Sequence, residues 1–81
     1  MEKFIIIKST AGLHAMLASK VVRAASKYNV DMRLEYKNQI VDVKSILGLM
    51  SLAIPSGENV RLVAIGEKAE KAIQDVEKLI G

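Results

Sequence analysis

Met32-Arg33-Leu34-Glu35-Tyr36-Lys37-Asn38-Gln39-Ile40-Val41-Asp42-Val43-Lys44 decides the fold. Met32, Leu34 and Tyr36 alternate with Arg33, Glu35 and Lys37, the pattern of a strand with one face on a core and one in water. Gln39 to Lys44 alternates again, with Ile40 and Asp42 on one face and Val41 and Val43 on the other. Lys37-Asn38 has the length of a two-residue hairpin turn, although it lacks the glycine that usually marks one. A hairpin in mid-chain makes the sheet antiparallel there, and a wet face leaves only the other side for helices.

Working outward, Lys3 to Lys8 is a nearly continuous apolar run and reads as a central strand. Ser9-Thr10-Ala11-Gly12 breaks it. From Ala15 to Lys27 the period becomes helical, with Ala18, Val21, Val22 and Ala25 on one buried stripe and Lys20, Arg23 and Lys27 off it. Tyr28-Asn29 ends that helix, Asn being tolerant of the left-handed conformation. Past the hairpin, Ser45 is a good N-cap for a short helix through Leu52. Pro55-Ser56-Gly57 is a turn, and Val60, Leu62 and Ala64 mark a fourth strand ending at Gly66. Lys68 to Ile80 closes the chain as an amphipathic helix with Ala69, Ala72, Ile73, Val76 and Ile80 on its apolar stripe. The order is β-α-β-β-α-β-α, which points to an α+β domain with helices on one face of a mostly antiparallel sheet.

Size and composition narrow the function. The 81 residues form one domain, 1–81, with 51% hydrophobic and 26% charged residues. With no cysteine, a disulfide scaffold and a Cys-based zinc site are excluded. Phe4-Ile5-Ile6-Ile7 is too short for a signal-peptide core of ~7–15 residues or a membrane span of ~20. A soluble, cytoplasmic protein without membrane insertion is expected. The net charge of +3 suits acidic protein surfaces. Acidic residues are spread along the chain, and Phe4, Tyr28 and Tyr36 lack the interleaving of an RNA-binding sheet, so nucleic acid is not an expected partner.

The chemistry centres on Gly12-Leu13-His14-Ala15-Met16-Leu17, which holds the only histidine. His14 follows a glycine-containing loop and precedes a helix start, where free backbone N–H groups and the helix dipole attract anions. A neutral imidazole there is a nucleophile that can carry a phosphoryl group against those donors. With no second His, no Cys and no paired carboxylates, a metal site or a Cys–His dyad is not expected, and nothing points to a cofactor. Ser45 is explained by capping alone; phosphorylation would place negative charge at a helix N-terminus, where the dipole tolerates it. Ile46, Leu47 and Met50 behind it are expected to divide between core and docking patch.

Gly12-Leu13-His14-Ala15, the Ala/Val helix after it and Ala25-Ser26-Lys27-Tyr28 resemble the active-site region of HPr, the histidine-containing phosphocarrier of the bacterial sugar phosphotransferase system. Leu34-Glu35-Tyr36 and the run from Val41 to Ile54, VDVKSILGLMSLAI, resemble the same family's second and third strands and regulatory helix. The resemblance implies an α+β open-faced β-sandwich, a four-stranded antiparallel sheet with three helices on one face, and a phosphoryl carrier rather than a stand-alone enzyme. It implies that His14 accepts a phosphoryl group on Nδ1 from enzyme I and passes it to sugar-specific IIA domains. The backbone N–H groups of Ala15, Met16 and Leu17 would hold that group. Ser45 matches the serine modified by HPr kinase/phosphorylase, a form that partners a catabolite control regulator. Ala15, Ser19, Arg23, Ile46, Leu47 and Met50 match the docking surface of a monomeric protein.

Two positions depart from the family pattern of Ala, Arg and Pro after the histidine. Met16 stands where the arginine is expected, and methionine cannot stabilise the charge of a transferring phosphoryl group. Leu17 stands where proline is expected, and it adds a backbone donor. Impaired transfer is the resulting expectation, with Arg23 a distant substitute. The alternative is a non-transferring regulatory paralogue acting through Ser45. A third reading is an apolar Met16/Leu17 patch docking some other partner.

Overall fold

A computed structural model describes all residues 1–81. The strands are β1 (Glu2–Ile6), β2 (Val30–Tyr36), β3 (Gln39–Asp42) and β4 (Asn59–Gly66); the helices are α1 (Ala15–Ala25), α2 (Ile46–Ser51) and α3 (Ala69–Ile80). All strand pairs are antiparallel and the sheet order is β1-β4-β2-β3. β4 thus separates β1 from β2, a split β-α-β arrangement.

The hairpin forms as its alternation dictates. Tyr36 faces Gln39 and Leu34 faces Val41 across β2 and β3. Lys37 turns the corner at φ 55°, the left-handed conformation that glycine would adopt without strain. Met32, Leu34, Leu62, Ala64 and Val60 point inward, where they meet Val21 and Ala25 of α1 and Ala72, Ile73, Val76 and Ile80 of α3. No polar side chain is buried in this core.

The other face of the sheet is open to solvent, and it corrects the reading of the first strand. β1 is an edge strand paired only with β4. Ile5 and Ile7 enter the core, but Phe4 is 68% exposed and Ile6 also lies outside. An apolar run reads as buried on both faces; here no second layer covers its alternate side chains. Arg61 bridges this open face, pairing with Glu2 at 2.6 Å and with Glu35. The arginine therefore ties β4 to both neighbouring strands. No helix is long and apolar enough to cross a membrane.

The helix ends also differ from expectation. α1 stops at Ala25, and the N–H groups of Lys27 and Tyr28 bond the carbonyls of Ala24 and Ala25 in a tightening last turn. Asn29 is not left-handed. The Lys44 ammonium reaches the Tyr28 carbonyl at 2.9 Å, and the Tyr28 hydroxyl donates to Asp75 of α3. The junction is held by side chains rather than by a left-handed residue. At the other side, Lys8 N–H donates to Ile80 O and Lys3 pairs with Glu77, fastening α3 to the β1 edge.

Candidate functional site

His14 is placed by a short, highly constrained loop. Gly12 N–H donates to Ser9 O, and His14 N–H donates back to Gly12 O at 3.1 Å. Gly12 sits at φ 71°, and a Cβ there would collide with the carbonyl oxygen of Ile54 and with Pro55. Only glycine fits. Leu13, the residue between them, is buried and donates its N–H to Ile54 O at 2.9 Å. The loop before α1 is thereby stitched to the segment that leaves α2.

The histidine itself is the N-cap of α1. Its backbone is extended (φ −88°, ψ 175°), its carbonyl accepts the Ala18 N–H at 2.8 Å, and its side chain is exposed. Nδ1 accepts the Leu17 N–H at 3.3 Å. The N–H groups of Ala15 and Met16, the other donors of the first turn, have no partner in the protein. The structure therefore brings together an imidazole nitrogen and the positive end of a helix, with two donors free and one engaged on the ring.

Met16 and Leu17 part company. Met16 is 68% exposed, whereas Leu17 is 8% exposed and belongs to the core beside Ala18 and Val21. The apolar surface patch expected of the pair is thus Met16 alone. Arg23 lies nine residues beyond the cap, roughly 13 Å along the axis at 1.5 Å per residue. It stands in the last turn of α1 and makes no hydrogen bond or ion pair near His14. Ser19, between them, is half-buried.

Ser45 caps α2 in the way that His14 caps α1. Its Oγ accepts the Gly48 N–H at 3.0 Å, and its own N–H donates to Asp42 O. Asp42 also takes the Lys44 N–H on its side chain at 2.9 Å, so the turn into the helix is fixed twice. α2 buries Leu49, and the Leu52 that follows is buried as well. Ile46, Leu47 and Met50 do not divide as expected: all three stand outside, Leu47 at 83%. Leu49 and Leu52 supply enough apolar contact on the inner side, and a helix of six residues has no room to bury more. α1 packs against α2, so Met16, Ile46, Leu47 and Met50 are apolar side chains presented by two adjoining helices.

No cleft surrounds His14. The one surface depression is lined by Phe4, Glu35, Lys37, Asn59, Val60 and Arg61 and contains no residue of the His14 loop, α1 or α2. His14 is exposed at the start of α1, and the exposed Met16, Ile46, Leu47 and Met50 stand on α1 and α2. The structure places His14 at the N-cap of α1, Met16 exposed in the first turn and Ser45 at the N-cap of α2. Sequence reasoning did not single out Ile54, whose backbone carbonyl carries no side-chain signal.

Comparison with known proteins gives this geometry its context. The family profile described as PTS HPr component phosphorylation site matches residues 1–81. HPr-C-His from Thermoanaerobacter tengcongensis is 41% identical, with 99% of this chain and 90% of that one covered at a TM-score of 0.93. The phosphocarrier protein HPr from Bacillus anthracis is 30% identical, covering 100% and 96% at a TM-score of 0.95. Crh, the Bacillus subtilis catabolite repression protein, solved as an intertwined dimer with a swapped domain, is 33% identical over 95% and 93% at a TM-score of 0.75. With the profile matched end to end and the open-faced sandwich in place, the chain belongs to the HPr family of the phosphotransferase system.

Proposed function

We propose that this protein is a phosphocarrier in which His14 accepts a phosphoryl group from enzyme I and passes it to IIA domains, at reduced efficiency. The observation that carries this reading is the His14 ring over the first turn of α1, with the Ala15 and Met16 N–H groups free to receive phosphoryl oxygens. The Nδ1 lone pair attacks phosphorus, the N–P bond forms, and the bond to the donor's leaving atom breaks with its electron pair. Met16 brings no positive charge to that exchange, which is the source of the reduced efficiency. Ser19, Arg23, Ile46, Leu47 and Met50 form the docking surface in this reading, and the protein works as a cytoplasmic monomer. Incubation with enzyme I and phosphoenolpyruvate is expected to yield an acid-labile phosphohistidine at His14. No label, under conditions that fully label an ordinary HPr, would end this reading.

A second reading has its own support. Ser45 is an intact N-cap beside exposed Ile46, Leu47 and Met50, and the likeness to Crh extends along nearly the whole chain. In that reading HPr kinase/phosphorylase modifies Ser45, and the modified surface binds a catabolite control regulator. Failure of the kinase to modify Ser45, together with no regulator binding, disposes of it.

A further inference from the structure

We propose that the open face of the sheet is a self-complementary surface on which two copies of this chain pair back to back. One row of side chains across all four strands carries the inference. Phe4 faces Arg61 across β1 and β4, Arg61 faces Glu35 across β4 and β2, and Glu35 faces Ile40 across β2 and β3. The residues on either side in β2 and β4, Leu34, Val60 and Leu62, point into the core, so this row stands on the outer face. Its order is apolar, cation, anion, apolar, and both apolar ends are exposed. At about 4.8 Å between strands the row spans roughly 14 Å.

A twofold axis between two such sheets, running along their strands, reverses the row. β1 then lies over β3 of the second copy, and β4 over its β2. Phe4 meets Ile40 at each end, and Arg61 meets Glu35 twice in the middle. Every charge in the row faces its opposite, and every apolar side chain faces another. Arg61 already holds Glu2 through Nε and Glu35 through one terminal nitrogen, and its second terminal nitrogen has no partner in its own chain. The depression bordered by Phe4, Asn59 and Arg61 gives Ile40 of the second copy a seat. Other rows match less well: Glu2 comes over Asp42, and Ile65 over Asp31. Glu2 is drawn to Arg61 and Asp42 accepts the Lys44 N–H, so those two carboxylates are already partnered. The face as a whole sets Glu2, Asp31, Glu35 and Asp42 against Arg33, Lys37 and Arg61, which does not suit a polyanion such as nucleic acid.

Four strands of about five residues give a flat area on the order of 300 Å² per copy, well short of a standard interface. The pairing is therefore a state of concentrated protein, and dilute protein is the monomer of the phosphocarrier reading. The inference does not depend on that reading. His14 starts α1, whose Val21 and Ala25 pack on the inner face of the sheet, away from the pairing.

Sedimentation equilibrium tests the pairing. Dimer is expected at about 1 mM protein and monomer at about 10 μM, the range of a small, weak interface. Arg61→Glu gives the row two anions and Glu35→Arg gives it two cations, so each variant alone is expected to stay monomeric at the higher concentration. Mixed in equal amounts, the two are expected to form a heterodimer, because each anion of one then faces a cation of the other. A purely structural role for Arg61 and Glu35 within one chain would not produce that association. Ile40→Lys, at an exposed position outside the core, is expected to abolish pairing of the otherwise unmodified chain. A monomer throughout the range overturns the proposal and leaves the face to a different partner. So does a dimer that Ile40→Lys leaves intact, since its contact would lie elsewhere, such as the free edge of β1. Folded charge variants that fail to associate on mixing overturn it as well, and if either does not fold, Ile40→Lys decides.

Discussion

The N–H of Leu13 donates to the carbonyl of Ile54 at 2.9 Å, joining the residue before the histidine to the exit of α2. Gly12 packs against the same carbonyl, and the loop has no slack between these contacts and the cap at His14. The position of the imidazole is therefore set as much by the α2–β4 connection as by α1.

Gly12→Ala tests that coupling. Its Cβ would strike Ile54 O while its backbone remains left-handed, at a cost of at least about 2 kcal/mol from the conformation and the collision together. Chemical denaturation is expected to show this loss. The same variant, still folded at low temperature, is expected to lose the Leu17 contact to Nδ1 in its NMR spectrum.

Ala53 offers the opposite case. It follows α2 at φ 49°, exposed, in the left-handed conformation that glycine favours at helix ends. Ala53→Gly is expected to raise stability by about 1 kcal/mol. A lower denaturation midpoint would refute the reading of strain at this residue.

Met16→Arg should restore the missing charge without disturbing the core, because Met16 is exposed. Phosphohistidine formation is expected to accelerate by at least about tenfold, while stability falls by about 0.5 kcal/mol from a cation at the positive end of α1. Adding Leu17→Pro to complete the family pattern is expected to give back part of that gain, since it removes a buried side chain and a donor.

Ser45 separates capping from charge. Ser45→Ala removes the acceptor for Gly48 N–H and is expected to cost about 1 kcal/mol. Ser45→Asp keeps an acceptor and is expected to hold stability near the original value. A large loss in Ser45→Asp would show that α2 cannot accommodate negative charge at its start.

The alkaline limb of stability should come from two tyrosines. Tyr28 donates to Asp75 and Tyr36 to Glu58, and these hydrogen bonds hold both hydroxyls above their ordinary value of 10.0. A raised folded value means a contribution fully present below the unfolded value and lost as pH climbs through the folded one. Denaturation midpoints are expected to fall above about pH 10, and Tyr28→Phe with Tyr36→Phe to remove that slope. At the acid end, Arg61 holds Glu2 below its ordinary 4.5, so the Glu2 contribution is present above that value and is lost as pH falls through the depressed one.

Legibility in the sequence followed how local each cause is. The β2–β3 hairpin could be read because alternation is a property of neighbouring residues. The exposed Phe4 and Ile6 could not, because their exposure depends on a missing layer rather than on β1 itself. Met16 and Leu17 look alike in one dimension, and only the rotation of α1 against the sheet buries one and exposes the other. His14 was legible at a helix start from Gly12 before it and the helical period after it. Its hydrogen bond to Leu17 depends on a side-chain torsion, and its tie to Ile54 on a residue far along the chain.

The order of the strands governs how the molecule is made. β4 is synthesised late, yet β1 and β2 both pair with it and neither pairs with the other. At ~5–20 residues per second, β1 waits on the order of 3–10 s for its only partner. Until then the growing chain has one hairpin, which is marginal alone. Assembly is a single late event, and a nascent chain that stops short of Asn59 has no sheet to which His14 could be attached.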